Sequence, residues 1–293
     1  MKILLLGSEG QLGFELQGAL GGIGELTALG RAQVDLAQPH SLAQVLAARA
    51  PDLVINAAAY TDVDGAEAPE SPAHTINCTA VEELGRLAGA LRFGLLHIST
   101  DFVFDGESNR PYREDDPTGP VNAYGASKLA GECALSALEA PAIVLRTAWV
   151  YSLRRKSFVS TILRLAREQS ELSVVDDQLG NPTFCRDLAN AVARISARLR
   201  PDPFAAATEY RGLYHVAGTG IASRHELASR IIERHPHSAG LAVRSLLAVP
   251  TSAMPLQARR PLRTALDCSK AHRTFGVLLP DWQEALDRAL ADA

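Results

Sequence analysis

Tyr124 and Lys128 lie four positions apart in a segment that predicts a helix beginning near Ala123. At that spacing the phenol and the ammonium share one helix face, about one turn apart. Thr100 supplies a hydroxyl just after an apolar run, Gly94 to Ile98, which predicts a buried strand. A phenol is protonated at neutral pH and can donate its proton, and a nearby ammonium stabilises the phenolate that remains. The three side chains therefore predict a proton-transfer site in which they are the catalytic residues.

Two further residues follow predicted strand ends, which is where ligands bind in open α/β sheets. Asp101 comes directly after Thr100, and its carboxylate serves either as a ligand contact or as a turn-forming group. Trp149 follows a predicted strand from Ala142 to Arg146. Its indole either stacks on a sugar or a base, or packs where two domains join. Both residues are candidates for substrate binding.

A glycine-rich turn connects the first predicted strand, residues 2–6, to a helical pattern. Gly7, Gly10 and Gly13 form a Gly-x-x-Gly-x-x-Gly pattern in place of the commoner Gly-x-Gly-x-x-Gly. Glycines there allow a tight turn, close approach of the backbone to a pyrophosphate, and close packing of helix on strand. The phosphate charge would then meet the helix N-terminus. An ordinary turn is the alternative, but the strand–turn–helix context favours a dinucleotide-binding turn.

The end of the second predicted strand, Leu26 to Leu29, indicates which nicotinamide cofactor is used. A preference for NAD usually comes with an acidic residue at that point, whereas this chain has Gly30 and Arg31, with Asp35 a few residues on. An arginine can accommodate a 2′-phosphate, so NADPH is the predicted cofactor and NADH stays open. The alternative for Arg31 is a solvated loop residue.

Composition argues against several classes of protein. The chain has 293 residues, of which 47% are apolar and 21% charged, and a net charge of −4, so nothing favours nucleic acid or an anionic membrane as a partner. Its apolar runs are strand-sized, and the first is too short for a signal peptide. The histidines show no metal-ligand spacing; examples are His40, His215, His235 and His237. We therefore expect a cytoplasmic protein without a metal site.

Strand and helix patterns alternate through the first half of the chain and predict an α/β fold with a Rossmann-like, doubly wound parallel sheet. We expect an NADP-binding domain over residues 1–149. A smaller, mainly substrate-binding domain follows over residues 150–293, with some of its segments returning to the first domain. The sequence also predicts a strand at 53–59, helices at 158–168 and 185–198, and a polar turn at 176–183.

Several segments together resemble the extended short-chain dehydrogenase/reductase family. They are GSEGQLG from Gly7, NAAAYTDVD from Asn56, HISTDFVFDG from His97, and the Tyr124–Lys128 pair. Within that family, the segments RTAWVYS, DDQLGNPT, GLYHVAG and ARRPLRTALD resemble the dTDP-4-dehydrorhamnose reductases. The resemblance implies that a nicotinamide cofactor reduces the 4-keto group of dTDP-4-dehydro-L-rhamnose. The product, dTDP-L-rhamnose, would serve cell-surface polysaccharide such as O-antigen.

The resemblance also implies a role for each matching residue. Tyr124 would be the proton donor and Lys128 its partner, while Thr100 would position the keto group and tune the phenol. The residues expected at the cofactor are Gly7, Gly10, Gln11, Leu12, Gly13, Arg31, Asp35, Leu36, Ala59, Tyr60, Thr61, Tyr124 and Lys128. Those expected at the dTDP-sugar are Thr100, Asp101 and Trp149.

The chain departs from the family pattern at two positions. Gly30 stands where an acid is common, and Ser152 follows Tyr151 where many relatives have Ala or Gly. The first departure argues against NADH, and the second alters the substrate loop. Some family members dimerise through a metal that acidic residues hold, but no such cluster can be mapped here. Mg²⁺ is therefore assigned to no residue, and both a monomer and a homodimer stay open.

Two rival functions stay open at this point. One is another NAD(P)-dependent sugar-nucleotide enzyme on the same fold, such as a reductase, an epimerase or a dehydratase. Dehydratases of this family have an acidic pair directly after the threonine, whereas here Asp101 is followed by Phe102. The other is a non-catalytic dinucleotide-binding subunit, like the regulatory subunit of methionine adenosyltransferase. The joint presence of Thr100, Tyr124 and Lys128 favours an enzyme.

Overall fold

A six-stranded parallel sheet forms the centre of the protein, shown by a computed structural model that describes residues 1–236 and 238–291. His237 lies outside the described residues. The strands of the sheet are β1 (Lys2–Leu6), β2 (Glu25–Leu29), β3 (Leu53–Asn56), β4 (Gly94–Thr100), β5 (Ala142–Thr147) and β10 (Gly212–His215). Short strands outside it are β6 (Val150–Tyr151), β7 (Glu171–Val175), β8 (Leu179–Gly180), β9 (Thr183–Phe184), β11 (Ala222–Ser223) and β12 (Ser245–Val249).

The order of the strands places a ligand-binding crevice at β1. The sheet runs β2-β1-β3-β4-β5-β10, and every adjacent pair is parallel. Since β2 lies on one side of β1 and β3 on the other, the direction of winding reverses there. Ligands bind outside the carboxyl ends of the strands at such a reversal. The predicted α/β fold with a doubly wound parallel sheet is confirmed.

Some of the helices cover both faces of the sheet, and others lie away from it. In chain order the helices of the described residues are α1 (Gln11–Leu20), α2 (Leu42–Arg49), α3 (Ala80–Leu91), α4 (Ala123–Ala137), α5 (Phe158–Glu168), α6 (Cys185–Arg198), α7 (Pro203–Glu209), α8 (Arg224–Arg234), α9 (Ser269–Phe275) and α10 (Trp282–Ala291). Apolar side chains of α1, α6 and α9 pack against one face of the sheet, and those of α2, α3 and α4 pack against the other. Together with the strands they form the first hydrophobic core. The stripe formed by Leu12, Leu16 and Leu20 is buried against the first of these faces. Burying such stripes on a sheet supplies most of the stability of a helix in a protein.

A second, separate hydrophobic core lies among α5, α8 and α10. Ile162, Leu227 and Leu286, one from each helix, are all buried in it. Short strand pairs adjoin this core, with β12 parallel to β7, β6 parallel to β9, and β11 antiparallel to β8. Residues after 149 thus contribute to both cores, since α6, β10 and α9 pack with the large sheet while α5, α8 and α10 form the second core.

Local predictions differ from the structure in two places. The helices predicted at 158–168 and 185–198 are confirmed with those bounds. The strand predicted at 53–59 ends at Asn56, whose side-chain oxygen accepts a hydrogen bond from the Ala58 amide at 3.1 Å and so turns the chain. The prediction of a simple polar turn at 176–183 is wrong, because β8 and β9 lie there and pair with β11 and β6. Neither residues 1–236 nor 238–291 contain a helix long and apolar enough to cross a membrane.

Candidate functional site

A cleft of about 770 Å³ lies at the carboxyl ends of β1, β3, β4 and β5, with Arg224 of α8 on another side. The predicted site residues that line it are Gly7, Gly10, Gln11, Leu12, Arg31, Asp35, Leu36, Ala59, Tyr60, Thr61, Thr100, Asp101, Tyr124, Lys128 and Trp149. Gly13 does not line the cleft; it lies under the glycine turn. The structure therefore brings together residues from six separate segments of the chain.

The glycine turn is too crowded for side chains at two of its positions. Gly7 has φ +82°, and a Cβ there would lie 2.7 Å from the Ala58 Cα atom. A Cβ on Gly13 would lie 2.0 Å from the Gly7 carbonyl oxygen, so this glycine lets α1 pack tightly on the strand end. The N-cap of α1 is Gly10, which has no side chain to cap the first amides. Uncapped amides at a helix N-terminus attract anions, so the turn fits a dinucleotide pyrophosphate.

An unpartnered polar atom and an acidic side chain also mark this end of the cleft. The Oε1 atom of Gln11 is buried without a hydrogen-bond partner. Glu9 fills the space beside Gly30, since a Cβ on Gly30 would lie 2.5 Å from the Glu9 Cδ atom. The sequence lacks an acid directly after β2, but the fold supplies one from the glycine turn, which sequence reasoning missed. Arg31 is 74% exposed, with its Nε 3.5 Å from Asp35.

Thr100 and Asp101 form a buried hydrogen-bonded group at the end of β4. The Asp101 carboxylate accepts one hydrogen bond from the Thr100 hydroxyl at 3.1 Å and another from the Thr264 hydroxyl at 2.5 Å. The Thr100 oxygen in turn accepts a bond from the Phe102 amide at 3.2 Å. Burial raises the pKa of Asp101 to about 6, although both threonine hydroxyls lower it. Asp101 thus both orients Thr100 and links it to a distant C-terminal segment.

Tyr124 lies in the first turn of α4. The N-cap of the helix is Asn122, whose side chain accepts a hydrogen bond from the Gly125 amide at 2.8 Å. The Tyr124 ring packs edge-on against Phe102, with centroids 5.9 Å apart. Desolvation raises the pKa of Tyr124 to about 12, a hydrogen bond with Thr100 lowers it, and the charge of Asp101 raises it. The phenol is therefore protonated at neutral pH and is able to donate a proton.

Lys128 is buried on the next turn of α4 and faces the same cleft. Its Nζ donates to the Ile98 carbonyl oxygen at 2.7 Å and lies 3.2 Å from His97 Nε2. Burial lowers the pKa of Lys128 to about 8, and the charge of Glu132 opposes that shift. Sequence reasoning placed Lys128 but missed its contact with His97, because the contact depends on how the helix packs against β4.

An ion pair fixes the helix that carries these two residues. Glu132, one turn after Lys128, accepts two hydrogen bonds from Arg146 Nε at 3.0 and 3.1 Å and one from its Nη2 at 2.6 Å. It also accepts a bond from the Ser99 hydroxyl at 2.5 Å. The Arg146 and Glu132 side chains are 2% and 3% exposed. The pair thus ties α4 to both β4 and β5.

Trp149 lines the opposite part of the cleft in a strained conformation. Its φ is +44°, in the left-handed region that residues other than glycine rarely adopt. The Arg224 guanidinium carbon lies 3.5 Å from the centroid of the indole, and a Cβ on Gly180 would come within 2.5 Å of it. Burial lowers the pKa of Arg224 to about 10. Strain of this kind occurs at ligand sites, where the surroundings hold a side chain in place.

Basic residues differ in whether they reach the cleft. Arg155 and Lys156 are exposed and line the cleft, so the loop that carries them reaches the site. Arg260 instead binds Asp64 at 2.7 Å. Sequence reasoning missed Arg224, since nothing in its local sequence distinguishes it from the exposed arginines of the chain. Within the described parts of the chain, no three His, Cys, Asp or Glu side chains converge to hold a metal ion.

Comparisons with known proteins agree with this geometry. The family model for the RmlD substrate binding domain matches residues 1–293. A dTDP-4-dehydrorhamnose reductase from Burkholderia thailandensis is 41% identical over 295 residues, which cover 100% of this chain and 99% of that protein. This chain belongs to the dTDP-4-dehydrorhamnose reductase family. The resemblance noted in the sequence is confirmed, as is the enzyme class, an oxidoreductase.

Other members of the dTDP-4-dehydrorhamnose reductase family also match over nearly their whole length. The enzyme of that name from Escherichia coli strain K12 is 40% identical over 298 residues, with 99% of this chain and 97% of that protein covered. A solved dTDP-4-dehydrorhamnose reductase from Bacillus anthracis, in complex with NADP, superposes with a TM-score of 0.89 at 31% identity. It covers 100% of this chain and 99% of that one. The likeness therefore spans almost the whole length of both chains.

Proposed function

We propose that this protein reduces the 4-keto group of dTDP-4-dehydro-L-rhamnose to give dTDP-L-rhamnose, using NADPH and Tyr124 as the proton donor. One observation carries the proposal. A protonated phenol, a buried lysine and a strand-end hydroxyl line the same cleft as an uncapped glycine turn. A ketone reductase needs a dinucleotide site and a proton donor side by side.

The cofactor supplies the hydride when it is bound. The backbone of Gly10, Gln11 and Leu12 would hold its pyrophosphate, because these residues begin α1 without a side-chain cap. Asp35 and Leu36 would hold the adenine end. Ala59, Tyr60 and Thr61 follow β3 at the carboxyl end of the sheet, and they would line the path to the nicotinamide.

Tyr124 and Thr100 would act on the carbonyl oxygen of the sugar. Tyr124 holds its proton at neutral pH because desolvation raises the pKa of the phenol to about 12. The Thr100 hydroxyl, held by Asp101 and the Phe102 amide, would position the keto group. Lys128 would stabilise the phenolate that Tyr124 becomes. A well-placed general acid contributes about 10² to 10⁴ in rate.

The choice between the two nicotinamide cofactors would depend on Arg31 and Glu9. Arg31 is exposed at the mouth of the cleft, where a 2′-phosphate would find a cation. Glu9 brings a carboxylate to the same end and would favour a ribose with free hydroxyls. We expect NADPH to be preferred and NADH to be used as well.

The substrate would bind between the two cores. Residues 1–149 would form most of the cofactor site, and residues 150–293 would form mainly the substrate side. Trp149 presents an indole face that Arg224 covers on one side, which suits stacking on a sugar or a base. Asp101 lines the cleft beside Thr100 and would contact the sugar nucleotide.

A coupled assay tests the proposal. The purified protein is given dTDP-4-dehydro-L-rhamnose with NADPH and then with NADH, and absorbance of the reduced cofactor is followed together with the product. We expect oxidation of one cofactor molecule for each dTDP-L-rhamnose formed. Turnover of the sugar nucleotide without net cofactor oxidation would identify an epimerase instead. Inactivity with every dTDP-keto sugar, in a protein that still binds NADPH, would favour a regulatory subunit.

A further inference from the structure

Two buried polar side chains, Asn56 and His97, lie behind Lys128 and outside the cleft lining. Asn56 is at the end of β3, His97 is in the middle of β4, and Lys128 is on α4. Asn56 and His97 are fully buried, and Lys128 is 1% exposed. Asn56 Nδ2 lies 3.1 Å from His97 Nδ1, and His97 Nε2 lies 3.2 Å from Lys128 Nζ.

The orientation of the Asn56 amide follows from its other contact. Its Oδ1 accepts a hydrogen bond from the Ala58 backbone amide at 3.1 Å, and a backbone N–H can only donate. The Asn56 Nδ2 group must therefore face His97, and it too can only donate. His97 Nδ1 then accepts, so the proton of the neutral ring lies on Nε2 and points at Lys128.

This N–H suits a neutral amine and opposes an ammonium. An amine at Lys128 has one lone pair, which accepts from His97 Nε2–H, and two N–H groups. One of these donates to the Ile98 carbonyl oxygen at 2.7 Å, and the other is free for the cleft. An ammonium has no lone pair, so it would place a donor against a donor. The contacts that join Asn56, His97 and Lys128 are therefore free of a donor–donor clash only when Lys128 is unprotonated.

We propose that His97, held by Asn56, is a positioning residue that presents a fixed ring N–H to Lys128 and so lowers the proton affinity of the lysine. The inference rests on the proposed function, because Lys128 acts there as the partner of Tyr124. When the Lys128 ammonium gives its proton to water, one of its N–H bonds breaks. The freed lone pair of Lys128 accepts from His97, and a proton from bulk water later restores the ammonium.

The other titratable groups near Lys128 do not lower its proton affinity. Glu132 on the same helix raises the pKa of Lys128, but its carboxylate is paired with Arg146. Tyr124 is neutral at neutral pH. Burial lowers the pKa of Lys128 to about 8, and burial together with the charge of Lys128 lowers the pKa of His97 well below its usual range. His97 is therefore the neutral donor that the geometry requires.

Nitrogen-15 NMR of the full-length protein tests the assignment directly. Protein labelled in the histidine rings and lysine side chains is titrated from pH 6 to 10 without cofactor, and the His97→Gln variant identifies the His97 signals. We expect His97 to carry its proton on Nε2 throughout and not to titrate. A ring proton on Nδ1, or a charged His97, would overturn the inference.

Two variants test the consequence for Lys128. In His97→Gln the side-chain carbonyl can turn to accept from the ammonium, and in Asn56→Asp the carboxylate moves the ring proton to Nδ1. In both variants we expect the pKa of Lys128 to rise by about one unit or more, which is a tenfold change in proton affinity. Because His97→Gln adds no charge, a higher pKa of Lys128 in that variant would come from the lost ring N–H and not from a new negative charge. An unchanged Lys128 titration in both folded variants would refute the inference. A shifted titration in a protein without reductase activity would instead remove only the proposed function.

Discussion

Asp101→Asn isolates the free-energy cost of an ionised carboxylate in the site. The pKa of Asp101 is about 6 in the folded protein against an ordinary value of 3.8. A carboxyl group whose pKa is raised by folding contributes stability below pH 3.8 and loses it as pH rises through about 6. At about 1.36 kcal/mol per unit, the loss between pH 4 and pH 8 is about 2 to 3 kcal/mol. The asparagine variant has no group to ionise and escapes this loss.

Urea unfolding at pH values from 4 to 8 measures the effect. Losing an acceptor for Thr100 or Thr264 costs the variant stability at every pH, so that cost cancels when one pH is compared with another. We expect the free energy of unfolding of the variant, relative to the wild-type protein, to rise by about 2 to 3 kcal/mol between pH 4 and pH 8. If the free energies of unfolding of the two proteins differed by the same amount at every pH, or if the difference changed in the opposite direction, a raised pKa at Asp101 would be refuted.

Three further outcomes follow from buried contacts elsewhere in the site. Glu132→Gln leaves the Arg146 charge unpaired and should lower the free energy of unfolding by about 3 to 5 kcal/mol in urea, whereas replacing both residues with apolar ones should cost less. Gly13→Ala pushes a methyl group into the glycine turn and should weaken NADPH binding, measured by calorimetry, by about tenfold or more, or about 1.4 kcal/mol. Arg224→Met removes the cation from the Trp149 ring. It should raise KM for the sugar nucleotide and lower the free energy of unfolding by about 1 to 2 kcal/mol, without changing NADPH affinity. An unchanged KM and an unchanged free energy of unfolding would count against the contact.

Local spacing was enough to predict where several residues of the candidate site lie. The Tyr124–Lys128 spacing is a property of any helix, and Gly13 follows a strand at a fixed offset, so both could be placed from the sequence. Trp149 could be placed because it follows a strand end. The order of alternating strands and helices likewise predicted the parallel sheet, since few topologies satisfy such a pattern.

The supporting residues could not be predicted, because each reaches the site from a distant segment. Thr264 contacts Asp101 across 163 positions of the chain, and Arg224 reaches Trp149 from the second core. Glu9 takes the place of an acid expected after β2 because Gly30 leaves room for it. His97 contacts Lys128 only because α4 packs on β4. Such contacts depend on packing and leave no periodic signal in the sequence.

Tyr124→Phe tests the central claim most directly. Hydride transfer is followed in a single turnover with NADPH and dTDP-4-dehydro-L-rhamnose, and NADPH affinity is measured separately. We expect the variant to bind NADPH within about twofold of the wild-type protein and to transfer hydride about 10² to 10⁴ times more slowly. Transfer within tenfold of the wild-type rate would show that another group donates the proton and would contradict the account.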